Sequence, residues 1–322
     1  MSISIIIPAY NSDRYIVEAL DSITKHNECD LEIIVIDDGS IDDTKSLVES
    51  YISEDCRVRY VYQSNQGQSV ARNVGQTLAN KDYVLFMDSD DTYEPGSIDR
   101  LYHQVVSNRL DGLFFEAKDF DEMNGESGIK FDYSRPTQKK GAVATGQELF
   151  VDFVSENTLT VSPCLYLIRR EIVGKISFFP NIHYEDNLFT FQLLMSESLK
   201  RCQTLNEAFY NRRVRYGSIM TGEKTSRHLE GYYQVYLGVC DYIRENREQL
   251  HGDLLICILR FKARLMYKVS LALVETRNLY SLRGLKIRYF LFCHVTKNIR
   301  YLKSSQLFSI LIPEVNLVRG FL

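Results

Sequence analysis

Tyr83-Val84-Leu85-Phe86-Met87-Asp88-Ser89-Asp90-Asp91 is the stretch on which the fold reading turns. Its five apolar, partly aromatic residues read as a buried strand, and three carboxylates follow within four positions. Mutual repulsion makes such a cluster costly unless a cation compensates it. Hard oxygen donors at the mouth of a strand suit Mg²⁺ or Mn²⁺, which usually keeps several waters and shares substrate phosphates. The competing reading is a solvated acidic turn, with Pro95-Gly96 just downstream.

Working outward, Ile3 to Ile7 is a β-branched run ended by Pro8, a first buried strand. Ser12 or Asp13 is placed to cap a helix carrying Ile16, Leu20 and Ile23. Leu31 to Ile36 is a second strand, ending in Asp37-Asp38-Gly39-Ser40. Ser40 and Asp43 resemble a capping arrangement for a helix burying Leu47, Val48 and Tyr51. Arg57 to Tyr62 reads as a strand, Gln66 to Ala79 as a helix burying Val70, Val74 and Leu78, and Leu110 to Glu116 as another strand. The polar segment from Asp119 to Gly146 is expected to be an insertion or a loop. Val161 to Arg170 reads as a strand, and His183-Tyr184-Glu185-Asp186-Asn187 as the start of a helix, whose dipole favours its acids. From Thr225 onward, apolar periodicity without strand character predicts a helical C-terminal region.

Strands alternating with helices predict an α/β fold with a mostly parallel, doubly wound sheet. Ligands in such sheets bind beyond the carboxyl ends of the strands. Pro8-Ala9-Tyr10-Asn11, Asp37 to Ser40 and Asp88 to Asp91 should therefore share one rim. No Gly-x-Gly-x-x-Gly follows the first strand, and no Gly-Lys-[Ser/Thr] occurs, which disfavours dinucleotide and P-loop readings.

The 322 residues are 45% apolar and 25% charged, ordinary for a globular protein, and the net charge of −4 argues against a nucleic-acid partner. The charge is uneven. From Arg283 to the end, seven Lys/Arg face Glu314 alone, a net of +6, which leaves −10 on the first 282 residues. Seven dispersed cysteines without a Cys-x-x-Cys pair read as reduced thiols. With no basic region before an apolar run at the N-terminus, and no apolar stretch near the ~18 residues of a membrane span, a cytoplasmic location is expected.

The chain resembles the family 2 glycosyltransferases, which have the GT-A fold. The resemblance is carried, in order, by Ile5-Ile-Ile-Pro-Ala-Tyr-Asn11, Ile34-Val-Ile-Asp-Asp-Gly-Ser40, Gly67 with Ala71-Arg-Asn-Val-Gly75, Asp88-Ser-Asp-Asp91, Glu185-Asp186, and Arg213-Val-Arg215 with Ser218-Ile219. It implies a GT-A (Rossmann-like, mostly parallel sheet) catalytic domain over 1–222 and a helical domain over 223–322. It further implies inverting transfer of a sugar from a nucleotide diphosphate sugar, most often UDP-linked, to an acceptor hydroxyl, in the setting of bacterial surface polysaccharide.

Carried over by position, Pro8, Ala9, Tyr10, Asn11 and Asp38 would hold the nucleoside, Asp38 accepting from the uracil ring. Asn65 and Arg72 would border base and donor sugar. Asp88 would bond the ribose, with Ser89 beside it. Asp90 would ligate Mn²⁺ or Mg²⁺, and Asp91 would lie nearest the sugar. Arg213 or Arg215 would aid the leaving group, Asp186 would be the base, and Glu185 would position the acceptor or hold Asp186. Read alone, Asp37 to Ser40 could be a turn with a helix cap, Glu185-Asp186 a charged helix start, and Arg212, Arg213 and Arg215 solvated surface. His183 reads as a packing residue near the site.

Two rivals are a sugar-phosphate nucleotidyltransferase, which Ile5 to Asn11 disfavours for want of a Gly-rich basic loop, and a non-enzymatic sugar-binding scaffold. In the tail, Leu285, Tyr289, Phe292, Ile299 and Leu302 fall near one helical stripe amid Arg283, Lys286, Lys297 and Arg300. Such a stripe suits either an anionic membrane surface, where a lipid-linked or glycan acceptor is met, or packing on the catalytic domain or on a second subunit in a homo-oligomer.

Overall fold

The structure is a computed structural model that describes residues 2–122, 132–135, 142–215, 224–278, 281, 283–289 and 291. Ser218, Ile219, Phe292 and the rest of the basic tail lie outside the described residues. Two compact units divide the chain, one of residues 1–181 with 189–221, the other of 182–188 with 222–322. The second unit thus takes in 182–188, which a sequence division at 222 leaves with the first.

In chain order the first unit contains β1 (Ile3–Ala9), α1 (Ile16–Thr24), β2 (Leu31–Asp37), α2 (Thr44–Glu54), β3 (Val58–Tyr62), α3 (Gln68–Leu78), β4 (Tyr83–Phe86), β5 (Thr92–Tyr93), α4 (Ser97–Ser107), β6 (Gly112–Asp121), α5 (Gly146–Ser155), a 3₁₀ turn (Pro163–Leu165), β7 (Tyr166–Arg169) and α6 (Arg170–Val173). Helix α7 (Glu185–Leu194) follows, and β8 (Cys202–Val214) returns to the sheet. The sheet runs β3-β2-β1-β4-β7-β6-β8-β5. Parallel pairing of β1 with β2 and β4, and of β2 with β3, brings the carboxyl ends of these strands to one edge. Strand β7 is antiparallel to β4 and β6, while β8 is parallel to β6 and antiparallel to β5.

Strands β1 and β2 are almost wholly buried, as unbroken Ile/Val runs covered on both faces should be. Helix α3 departs from expectation. Its buried residues are Ser69, Ala71, Arg72 and Gly75, whereas Val70, Val74 and Leu78 are only half-buried. The reason is close approach: a Cβ at Gly75 would lie 2.3 Å from Ile6 Cγ2, so the small-residue face lies on β1. Against Phe86 of β4, Phe178 stacks on Phe189, and Phe86 is edge-on to both rings.

The expected caps are also replaced. Neither α1 nor α2 has a side-chain cap; Ser12 and Ser40 instead cross-link the loops beyond the strands. The Leu110 strand begins at Gly112 and runs on to Asp121, because β8 supplies a partner for its half-exposed second half. Within 161–170 only Tyr166–Arg169 is strand.

The second unit holds α8 (Ser226–Glu245) and α9 (Gly252–Glu275), which pack together. Val235, Tyr236 and Val239 of α8 are buried, as are Ile258, Leu265, Met266 and Val269 of α9. Residues 283–289 are helical, with Ile287 and Leu291 buried and Leu285 and Tyr289 exposed. Among the described residues all six cysteines are free, and no helix is long and apolar enough to cross a membrane.

Candidate active site

The ends of β1, β2 and β4 are knitted together by short polar contacts. The Asp38 amide donates to the Ala9 carbonyl at 2.8 Å. Asn11 sits at φ 49°; its amide donates to Ser40 Oγ, and its side-chain oxygen accepts from the Ile41 amide. Ser12 and Ser89 share a 2.7 Å hydroxyl contact that ties the β1 end to the β4 end. Pro8 to Asn11 therefore line the same edge as Asp38 and Ser89, as expected for this topology.

Asp38 is the hub of this edge. Its Oδ1 accepts from Gln63 Nε2 at 2.7 Å and the Gln66 amide at 2.8 Å, and its Oδ2 from the Gly67 amide at 2.7 Å. A carboxylate has about four lone-pair sites, so Oδ2 retains capacity for one more donor. The Gln63–Gly67 loop passes close over Gly39: a Cβ there would lie 2.9 Å from the Asn65 nitrogen, and φ is +82°. Asn65 thus borders Asp38 on the exposed side. Asp37 is structural, holding the Ser40 amide and the Tyr60 hydroxyl; burial and that carboxylate push the Tyr60 phenol up.

The three acids after β4 do not converge. Asp88 Oδ1 accepts from Arg72 Nη2 at 2.8 Å, and that guanidinium is buried over the Phe178 ring. Asp90 Oδ2 accepts from Arg215 Nε at 2.6 Å. Burial works against the Arg215 charge, but Asp90 outweighs it and holds the guanidinium pKa above its usual value. Asp91, expected nearest the sugar, turns inward: its Oδ1 accepts from the Arg213 amide and its Oδ2 from the Tyr210 hydroxyl, each at 2.7 Å. Burial, then Asp90 and Asp88, push its carboxyl well above the usual range. Two guanidinium groups, those of Arg72 and Arg215, thus lie against Asp88 and Asp90.

Arg213 is likewise withdrawn from the site. Its Nε donates to the Asp90 carbonyl at 2.6 Å, its two terminal nitrogens pair with Glu18 and Glu122, and its plane lies over Tyr15 and Phe120. An arginine so enclosed braces the β4–β5 turn against β8. Arg212 donates to the Tyr133 hydroxyl and is not solvated surface.

In the second unit, Glu185 is 2% exposed and Asp186 is half-buried. Asp186 Oδ1 accepts from the Asn187 amide and Nδ2, both at 2.9 Å. Of the pair, Asp186 is the more exposed carboxylate, and Glu185 is enclosed. His183 packs against His228, as a packing residue should. The contributions of Gln63, Tyr210 and Phe178 were not legible in sequence, where each lies in an unremarkable apolar or polar run.

Residues 4–176, more than half of the chain, match Glycosyl transferase family 2. The chain is 29% identical over 238 residues to the glycosyltransferase GlyG of Streptococcus pneumoniae serotype 4, covering 69% of this chain and 73% of that protein. It is 29% identical to the uncharacterized glycosyltransferase EpsJ of Bacillus subtilis, covering 72% and 67%. Among solved structures, S. aureus TarS 1–349 in complex with UDP-GlcNAc superposes with a TM-score of 0.61 at 21% identity, over 98% of this chain and 83% of that one. Its fold is accordingly GT-A, and the chain belongs to glycosyltransferase family 2.

Proposed function

We propose that the protein is a metal-dependent, inverting glycosyltransferase. It moves a sugar from a UDP-linked donor to a hydroxyl of a glycan or lipid-linked acceptor, at the cytoplasmic side of the membrane, during assembly of a bacterial surface polysaccharide. The carrying observation is Asp38, anchored by three donors with one acceptor position left, at the edge where β1, β2 and β4 end. That position suits a ring N–H of uracil, with Tyr10 half-exposed beside it to cover the base. TarS, with the same fold, is a UDP-GlcNAc complex, which supports a UDP-sugar donor here.

Asp88, oriented by Arg72, takes the ribose hydroxyls. Asp90 fits a divalent cation because, among the described residues, only its Oδ2 is held, by Arg215, and Oδ1 remains to ligate, whereas both oxygens of Asp91 are engaged. Among the described residues no three His, Cys, Asp or Glu side chains form a cage, so Asp90 would share the ion with diphosphate oxygens. When bound, the ion supplies Lewis-acid stabilisation of the leaving diphosphate's charge. Arg215 adds positive charge at the same place. Inversion needs one base to take the acceptor proton, and Asp186 fills that role.

A panel of nucleotide sugars tests the reading through Mn²⁺-dependent release of nucleoside diphosphate. Release from a UDP-sugar is expected, abolished by EDTA and by Asp90→Ala. Asp186→Asn should lower turnover by about 10²-fold while leaving UDP affinity unchanged. Parental activity of Asp90→Ala would overturn the metal assignment, and lost UDP binding in Asp186→Asn the base assignment.

A further inference from the structure

Helix α7 opens at Glu185, directly after a turn in which Tyr184 sits at φ 65°. A non-glycine residue in that region is strained and persists only where its surroundings hold it. The surroundings are one face of α8, within the same compact unit. At Gly231 the helix touches the turn's backbone: a Cβ there would lie 2.0 Å from the His183 carbonyl oxygen and 2.9 Å from its carbon. Seven residues on, a Cβ at Gly238 would lie 2.7 Å from Leu188 Cδ1. Interior glycines weaken a helix, and here each has a close neighbour that requires it.

Side chains flank the same contact. The Tyr232 ring stacks on Tyr184 with centroids 4.0 Å apart and planes 18° apart, and the His228 ring lies 4.3 Å from that of His183. His228, Gly231, Tyr232, Val235 and Gly238 recur at spacings of three and four, so one stripe of α8 receives residues 183–188. The turn then fixes the carboxylate in steps: the Tyr184 carbonyl accepts from the Asn187 amide at 3.1 Å, and Asn187 holds Asp186 Oδ1.

We propose that Gly231 and Tyr232 are positioning residues for Asp186, so that α8 of the C-terminal region sets the rate of the chemical step by holding the strained His183-Tyr184 turn. The proposal rests on Asp186 being the base. It predicts more than ordinary helix packing does, since packing alone lowers stability and leaves the folded enzyme's turnover intact. A displacement of a reacting group by about 1 Å can cost up to about 10²-fold in rate.

The experiment compares Gly231→Ala, Tyr232→Ala, Tyr232→Phe and Asp186→Asn in the full chain, each checked for folding by thermal melting. Readouts are turnover and KM with the UDP-sugar that the donor panel selects, UDP affinity by calorimetry, and amide exchange across 183–188. Expected are turnover losses of about tenfold or more in Gly231→Ala and Tyr232→Ala, with donor KM and UDP affinity unchanged and faster exchange at 183–188. Tyr232→Phe, which keeps the stacked ring, should recover most of the turnover. Should Gly231→Ala fail to fold, the Tyr232 pair decides alone. Parental turnover in folded Tyr232→Ala while Asp186→Asn is inactive overturns the positioning proposal alone. Parental turnover in Asp186→Asn overturns the base reading, and with it any claim that α8 acts through that carboxylate.

Discussion

Asp91 is the most enclosed of the three carboxylates after β4, and its two partners come from β8, Tyr210 and the Arg213 amide. The Tyr210 oxygen also accepts from the Asp88 amide, so one tyrosine joins two members of the acidic run. Removing the Asp91 carboxyl strands a buried hydroxyl and a buried amide. Each such orphan costs about 1–3 kcal/mol, so Asp91→Ala should lose roughly 2–6 kcal/mol of stability in denaturant unfolding. Asp91→Asn keeps an acceptor for the Arg213 amide and should lose less. Equal losses in the two variants would show that the acceptor is not what stabilises. The residue types at 88–91 were legible in sequence, but which carboxylate faces solvent and which faces β8 was not.

The turn before α7 is an element whose behaviour depends on pH. Burial, then the charges of His228, Arg227 and Lys224, lower the His183 imidazole pKa to about 4. The unfolded chain takes up that proton near 6.5. A depressed folded value means that the stability contribution is complete above the unfolded pKa and is lost as pH falls from about 6.5 towards 4. The denaturant midpoint of the parent should therefore drop between about pH 7 and pH 4.5, and His183→Gln should flatten part of that slope. An unchanged slope would place the acid sensitivity elsewhere. Helix α3 teaches a related lesson. Counting large apolar residues selected Val70, Val74 and Leu78, yet the buried face is the one whose small residues let α3 lie on Ile6. Close packing selected the face here, and apolar bulk did not.

Across the whole molecule the charge asymmetry bears on where the enzyme works. Residues 283–322 carry +6 against −10 on the remainder. In the described part of that tail, Leu285 and Tyr289 are exposed beside Arg283 and Lys286, while Ile287 and Leu291 are buried. An anionic surface gains about 1 kcal/mol per Lys/Arg brought near it, and exposed apolar residues add to this. Sedimentation should show binding to phosphatidylserine-containing vesicles at low salt, weakened by added salt and absent after removal of residues 283–322. Indifference of the full chain to such vesicles would make the exposed pair a contact for a second subunit or a local feature.

The sequence by itself determined the strand runs, the single edge on which their polar ends lie, and the family. These follow from local periodicity and from a rule of parallel sheets that puts all carboxyl ends on the same side. Only the tertiary structure decided what each charged residue does. Arg213 became a brace, Arg215 the partner of Asp90, Asp91 a link to β8, and Ser12 a tie to the β4 end. Gly231 became the seat of a turn far back in the chain. Partners such as Asp91 and Tyr210 stand 119 residues apart, and their meeting depends on strand order, register and side-chain direction. Those are properties of the assembled sheet and helices, which spacing along the chain does not carry.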